Sequence, residues 1–213
     1  MAYSCRLCGS TDTDRLDLDR VYHHCRQCDF IFTDETHLIS KEEEKKRYLQ
    51  HNNTLANTGY VAMFEAFITH ALEPAFSRVQ TVLDFGCGPN PVFAQIMKNH
   101  GKSVDVYDPF FFPSDEYLSR RYDLITLTEV IEHIRYPLDA LKMLISRLSD
   151  SGMLAVMTKF HSGVTDFDAW WYRKDNTHIS FFSQKTVQRL AKELDRVVVQ
   201  TDNSSFFCLQ ASK

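Results

Sequence analysis

Thr81-Val82-Leu83-Asp84-Phe85-Gly86-Cys87-Gly88-Pro89-Asn90-Pro91 is the stretch on which the fold turns. It starts as a short apolar run of strand type and breaks into glycines and prolines, the strongest interrupters of regular structure. A helix is expected next, from about Val92 to Asn99. Strand, glycine turn and helix form the opening unit of a parallel α/β sheet. The glycines let backbone approach a ligand, and the helix start offers N–H groups without intrahelical partners. The turn lacks the third glycine of the dinucleotide fingerprint, which argues against a nicotinamide enzyme. Cys87, between the glycines, reads as a small hydrophobe rather than a nucleophile.

Working outward, Ser103–Tyr107 is a second strand that ends at Asp108-Pro109. Asp108 lies twenty residues beyond Gly88, the place where an acid of nucleotide-binding α/β folds reaches ribose hydroxyls. Its plain alternative is a turn cap before Pro109. Phe110, Phe111 and Phe112 either flank a base or belong to the core. Tyr122–Leu127 is the next strand. It runs into Glu129-Val130-Ile131-Glu132-His133, and a helix follows from Pro137 to about Leu148. Gly152–Thr158 reads as another strand. Ser183 suits an N-cap for a helix through Val187, Leu190, Ala191 and Leu194. Residues 196–201 and 205–210 read as an antiparallel hairpin. Upstream, Val61, Phe64, Phe67, Ile68, Ala71 and Leu72 recur at helical spacing between Thr54 and Pro74, where the helix should end. The run Lys41–Arg47 reads as a solvated helix face. The expected architecture is an α/β, Rossmann-like three-layer sandwich. Its sheet has about six mostly parallel strands, with ligands at the carboxyl strand edges.

Val82–Gly88 (VLDFGCG) and Tyr122–Ile134 (YDLITLTEVIEHI) resemble the first and fourth motifs of the class I S-adenosylmethionine-dependent methyltransferases. The resemblance spans about 54–210. It implies that Asp84, Gly86 and Gly88 hold the amino-acid end of the cofactor, and that Asp108 holds its ribose. Glu129 is counted with these cofactor-binding residues. The family usually has a glycine where Asn90 stands. Asparagine tolerates left-handed backbone better than other residues with a Cβ. The layout here is also shorter, with about 12 residues between Pro109 and the next strand where the family has a helix and a strand. In these relatives a Tyr and a His after the Gly152–Thr158 strand face the acceptor, which makes Tyr172 and His178 catalytic candidates beside His133. Histidine as a residue type titrates near neutrality, so His133 suits a general base; a structural His at a helix start is the alternative. Glu129, Glu132 and His133, if helical, share one face and with His178 could hold a divalent cation. This resembles small-RNA 3′-end and some quinol methyltransferases.

Cys5, Cys8, Cys25 and Cys28 form two C-x2-C pairs with sixteen residues between them. That spacing suits a four-thiolate structural zinc site. Leu16, Leu18, Val21 and Tyr22 suffice for a hairpin in the gap. Residues 1–40 are therefore read as a zinc-ribbon module and 41–213 as the methyltransferase domain. His23 and His24 stand beside the tetrad as substitute ligands or neighbours.

The chain has 213 residues, 44% hydrophobic, with a net charge of -4. That balance gives no electrostatic drive toward nucleic acid. The first 40 residues carry four Arg against seven Asp or Glu, so the ribbon itself is a poor phosphate binder. No apolar run approaches the roughly 20 residues of a bilayer span, and the N-terminus has no secretory apolar core. A cytoplasmic location is expected, which favours metal over disulfides. The functional expectation is methyl transfer to a small molecule such as a sugar, quinol or related metabolite. The rivals are an RNA or protein methyltransferase that docks through the ribbon, and a non-catalytic binding module of the same fold.

Overall fold

The computed structural model describes residues 3–50 and 53–212. Strands β1 (Thr13–Asp17), β2 (Val21–Cys25) and β3 (Ile31–Thr33) pair antiparallel in sequence order. Helix α1 (Lys41–Tyr48) starts from a capping box. The Ser40 hydroxyl accepts from the Glu43 N–H, and the Glu43 carboxylate accepts from the Ser40 N–H. Such caps contribute about 1 kcal/mol.

The next helical stretch differs from expectation at both ends. α2 (Thr58–Phe67) begins after the Asn57 cap rather than near Thr54. The chain then passes through a π-helical turn, Ile68–Leu72, into α3 (Glu73–Phe76), so helical backbone continues through Pro74. A proline lacks the N–H that an uninterrupted α-helix needs. The π turn shifts the hydrogen-bond register ahead of it, and Pro74 falls in the first turn of α3, where no intrahelical donor is required.

Then follow β4 (Thr81–Phe85), α4 (Val92–Asn99), β5 (Ser103–Tyr107), β6 (Tyr122–Thr128), α5 (Pro137–Ile145), β7 (Leu148–Met157), β8 (Ser180–Phe181), α6 (Gln184–Glu193), β9 (Val197–Thr201) and β10 (Phe206–Gln210). Six of these strands form one sheet in the order β5-β4-β6-β7-β10-β9. The first four are parallel, and β10 runs antiparallel to β7 and β9. β7 begins at Leu148, earlier than the expected Gly152, and α5 stops at Ile145. The polar run Ser149–Ser151 looks like a loop, yet it is absorbed where the β6–β7 register slips from Tyr122↔Leu148 to Leu124↔Met153. Between β5 and β6 lies only the 3-10 turn Asp115–Ser119, in line with the abbreviated layout.

The period-two alternation of the strands divides the core. Leu83, Ile125, Leu154 and Phe207 face α5 and α6. Their chain neighbours Val82, Leu124, Ala155 and Cys208 face α2 and α4. The N-terminal side chains Cys5, Leu7, Cys25, Cys28, Phe30 and Phe32 belong to the first of these layers. Strand β8, from the distant 160–182 connection, pairs with β3 and completes a second sheet, β1-β2-β3-β8.

Candidate active site

A cavity of about 590 Å³ opens at the carboxyl edges of β4, β5 and β6, the ligand position that this topology favours. One wall is the turn after β4. Gly86 and Gly88 both have positive φ, +82° and +67°. A Cβ on Gly86 would lie 2.5 Å from both methyls of Val130, while one on Gly88 would meet nothing within 4 Å. Gly86 is thus required by the segment after β6, and Gly88 by backbone conformation at the open cavity. Cys87 lines the wall, and burial raises its thiol pKa, which disfavours a nucleophilic thiolate.

Asp108 also lines the cavity. One oxygen accepts from the Gly88 N–H at 3.0 Å and the other from the N–H groups of Phe110 and Phe111 at 2.8 and 3.1 Å. The acid therefore fixes the glycine turn against the end of β5. Phe110 lines the cavity; Phe111 instead lies under the Lys45 ammonium. Asp84 does not reach the wall. It is 1% exposed, and burial pushes its pKa up to about 7 against weaker opposing contacts from the Ala94 N–H and the Thr126 hydroxyl.

The opposite wall comes from the segment after β6 and from the 160–182 connection. The expected helical face of Glu129, Glu132 and His133 does not form. Glu129 takes left-handed backbone, φ +55°, and only Ile131–His133 makes a 3-10 turn. Glu129 consequently turns away from a shared ligand set and accepts a hydrogen bond from the Tyr172 hydroxyl at 3.1 Å. Glu132, His133 and His178 do converge, with one ligand atom from each lying within 4.8 Å of the others. Glu132 is 0% exposed, and burial, reinforced by Glu129, holds its pKa well above the usual range against weaker opposing contacts from its own N–H and the Tyr172 and Thr158 hydroxyls. His133 Nδ1 lies 2.9 Å from the Thr177 carbonyl, and His178 Nδ1 lies 2.7 Å from that of Tyr172. A carbonyl only accepts, so each neutral ring carries its hydrogen on Nδ1 and its lone pair on Nε2.

Several lining residues escaped the sequence reading, among them Glu44, Tyr48, Tyr60 and Lys159. Glu44 sits in the charge run and Tyr48 just after it, and the Tyr48 hydroxyl donates to Glu44 at 2.6 Å. Their i, i+4 spacing was the available signal. Trp171 lines the cavity while 68% exposed, whereas Trp170 packs with Tyr172 and Phe181.

In the N-terminal cysteine cluster, the Cys5 and Cys28 sulfurs are 3.6 Å apart, as are those of Cys8 and Cys25. Zinc–sulfur bonds of about 2.3 Å place the sulfurs of a tetrahedral site roughly 3.8 Å apart, so the tetrad fits the ion. All four cysteines are free thiols. His23 is engaged with Asp34 and His24 with Asp29, each at 2.7 Å, and neither joins the tetrad.

A second concavity lies at the opposite end of the sheet, lined by Arg121, Lys142, Arg147 and Arg196 among others. Arg121 donates to the carbonyls of Ser146 and Leu148, which caps the end of α5. No helix among the described residues is long and apolar enough to cross a membrane.

A family model described as a methyltransferase domain matches residues 41–201. No curated protein matches the sequence. Among solved structures, an O-methyltransferase family protein from Burkholderia thailandensis aligns with TM-score 0.53 and 13% identity over 80% of this chain. The chain spans only 63% of that protein's length. A SAM-dependent methyltransferase from Archaeoglobus fulgidus aligns with TM-score 0.51 and 14% identity, over 70% of this chain and 91% of its own. At such identities the structures speak for the fold. The family match covers most of the sequence and contains the glycine turn, the strand-end acid and the EVIEH segment, and on it the chain belongs to the methyltransferase-domain family.

Proposed function

We propose that this protein transfers a methyl group from S-adenosylmethionine to a small-molecule acceptor such as a sugar, a quinol or a related metabolite. One observation supports this above the others: a single cavity joins a glycine turn and strand-end acid on one wall with His133, His178 and Tyr172 on the other. The cofactor would lie along Gly86 and Gly88 with its ribose at Asp108, its ammonium toward the buried Asp84 carboxylate and Glu129 at its rim. When bound, it supplies a methyl group on a readily departing sulfonium. The protein's own task is then to position the acceptor and remove its proton. Asp108 already accepts three backbone hydrogen bonds of the roughly four its carboxylate can take. Two ribose hydroxyls would therefore displace one donor, and Gly88 is the one on the loop. Tyr172, with its hydroxyl on Glu129, and His133, with its lone pair on Nε2, form the acceptor side. His133 is the proposed base.

The convergence of Glu132, His133 and His178 also fits a divalent cation. A fully buried carboxylate is costly unless a cation or proton accompanies it, and one oxygen with two imidazole nitrogens is a usual transition-metal set. Such an ion would occupy the His133 Nε2 lone pair and so replace His133 as the activating group, by lowering the pKa of an acceptor hydroxyl. Manganese titrated into zinc-loaded protein is expected to bind one further equivalent, lost in Glu132→Gln. Chelation that spares the tetrad should slow methyl transfer at least tenfold, and full activity after that treatment would remove the cation from the scheme.

The tetrad is read as a structural zinc site in a ribbon spanning 1–40, with the methyltransferase domain in 41–213. A nucleic-acid acceptor finds less support, since the basic cluster at Arg121, Arg147 and Arg196 lies at the far end of the sheet from the cavity. The test is transfer of labelled methyl from S-adenosylmethionine into a fractionated cell extract. Label should appear in the small-metabolite fraction. Label confined to RNA or protein would replace this acceptor class.

A further inference from the structure

The segment 160–182 carries Tyr172 and His178 yet holds little regular structure of its own, a 3-10 turn at Trp171–Lys174 and the two residues of β8. Its attachments lead to the ribbon. β8 pairs with β3, and the Thr33 N–H donates to the Ile179 carbonyl at 3.0 Å. Arg173 is 0% exposed, and its guanidinium donates to the Asp19 and Asp168 carboxylates, to the Tyr22 hydroxyl at 3.0 Å and to the Phe167 carbonyl at 2.9 Å. In the reverse direction Arg20 donates to the carbonyls of Arg173, Asp175 and Asn176. The same segment holds the acceptor side. The Ile179 N–H donates to the Glu132 carbonyl at 2.8 Å, Thr177 supports His133, and the Tyr172 carbonyl supports His178. Among the described residues, no hydrogen bond or ion pair joins the ribbon to Gly86, Gly88 or Asp108.

We infer that the zinc ribbon, acting through Arg173 and Arg20, is the positioning device for the acceptor wall, and that it does not reach the glycine turn or Asp108. Zinc fixes the knuckle between β2 and β3. The knuckle fixes β3, and β3 with the two arginines fixes the segment that presents Tyr172 and His178. Arg173 and Arg20 are positioning residues, since neither lines the cavity. The inference rests on the methyltransferase reading for the meaning of the two walls, but not for the mechanical link.

Both tryptophans of the chain, Trp170 and Trp171, lie in this segment, so selectively excited tryptophan emission reports on it alone. In Arg173→Met the freed Asp19 and Asp168 carboxylates are about half exposed and pass to water, which keeps the damage local. Zinc content should stay at one equivalent and S-adenosylhomocysteine affinity within about threefold. Tryptophan emission should shift to the red, and amide exchange over 167–181 should quicken at least tenfold. Stripping zinc from the wild-type chain should give the same two changes. Arg20→Gln, at a partly buried site, should give them in weaker form and stands in if Arg173→Met does not fold. In the extract assay the KM for acceptor should rise with that for cofactor unchanged. Unchanged emission and exchange in these variants, or equal weakening of both walls, would overturn the inference. Failure of wild-type protein to bind S-adenosylhomocysteine would instead strike the methyltransferase reading, with emission and exchange still deciding the link.

Discussion

Gly86→Ala is expected to destabilise the protein by about 3 kcal/mol and to abolish measurable cofactor binding. Two effects add. Left-handed backbone costs an alanine roughly 1 kcal/mol, and Gly86 sits at φ +82°. The new methyl would also lie 2.5 Å from both Val130 methyls, an overlap relieved only by moving the turn or the segment after β6, at roughly 1–3 kcal/mol. For a domain of this size the fall in Tm is roughly 6–12 °C. The cause is specific. Val130→Ala in the same chain removes both clashing methyls and leaves a Cβ contact at 3.1 Å, so the double variant should regain part of the loss. Urea denaturation of the four members of that cycle measures the coupling, expected at about 1–2 kcal/mol. Additive losses would mean that Val130 does not set the requirement for glycine.

Asp84→Asn should stabilise the unliganded protein at pH 8 and yet weaken cofactor binding. The Asp84 carboxyl is fully buried, and desolvation, with a smaller push from Asp108, raises its pKa to about 7. Its unfolded pKa is near 3.9. The folded state therefore holds the proton more tightly, so this group's contribution is fully present below about pH 4 and is lost as pH rises toward about 7. The difference of roughly 3 pKa units corresponds to about 4 kcal/mol. Asn stays neutral throughout. The variant should thus be more stable than wild type at pH 8 by up to about 4 kcal/mol, and the gap should close toward pH 4. A bound cofactor's ammonium would favour the Asp84 anion and release its proton, so wild-type affinity should rise between about pH 5.5 and 7.5 while the variant's stays flat. Denaturation curves and calorimetry at several pH values read both effects. A variant destabilised at pH 8, or one with wild-type affinity and pH dependence, would contradict this role for Asp84.

How much of this was legible in the sequence depended on whether the signal was local. The glycine turn, the strand-end acid at its twenty-residue spacing and the paired cysteines are short-range patterns, and each stands where the spacing put it. The left-handed Glu129 was not legible. Nothing beside it marks positive φ, and treating 129–133 as a helical turn added Glu129 to a ligand set that holds only Glu132 with the histidines. β8 was missed because two residues carry no periodicity. It exists through pairing with a strand about 150 residues earlier in the chain, a contact that local propensity cannot encode. Pro74 misled for a related reason: the π turn that accommodates it is set by packing of Ile68, Ala71 and Leu72 on the sheet.

The central claim is that the cavity at the carboxyl edges of β4 and β5 is a cofactor site, and titration calorimetry of zinc-loaded protein with S-adenosylhomocysteine tests it most directly. One-to-one binding, weakened at least tenfold by Asp108→Ala with zinc content unchanged, is the expected result. No heat of binding in the wild-type protein, or binding indifferent to Asp108, would contradict it.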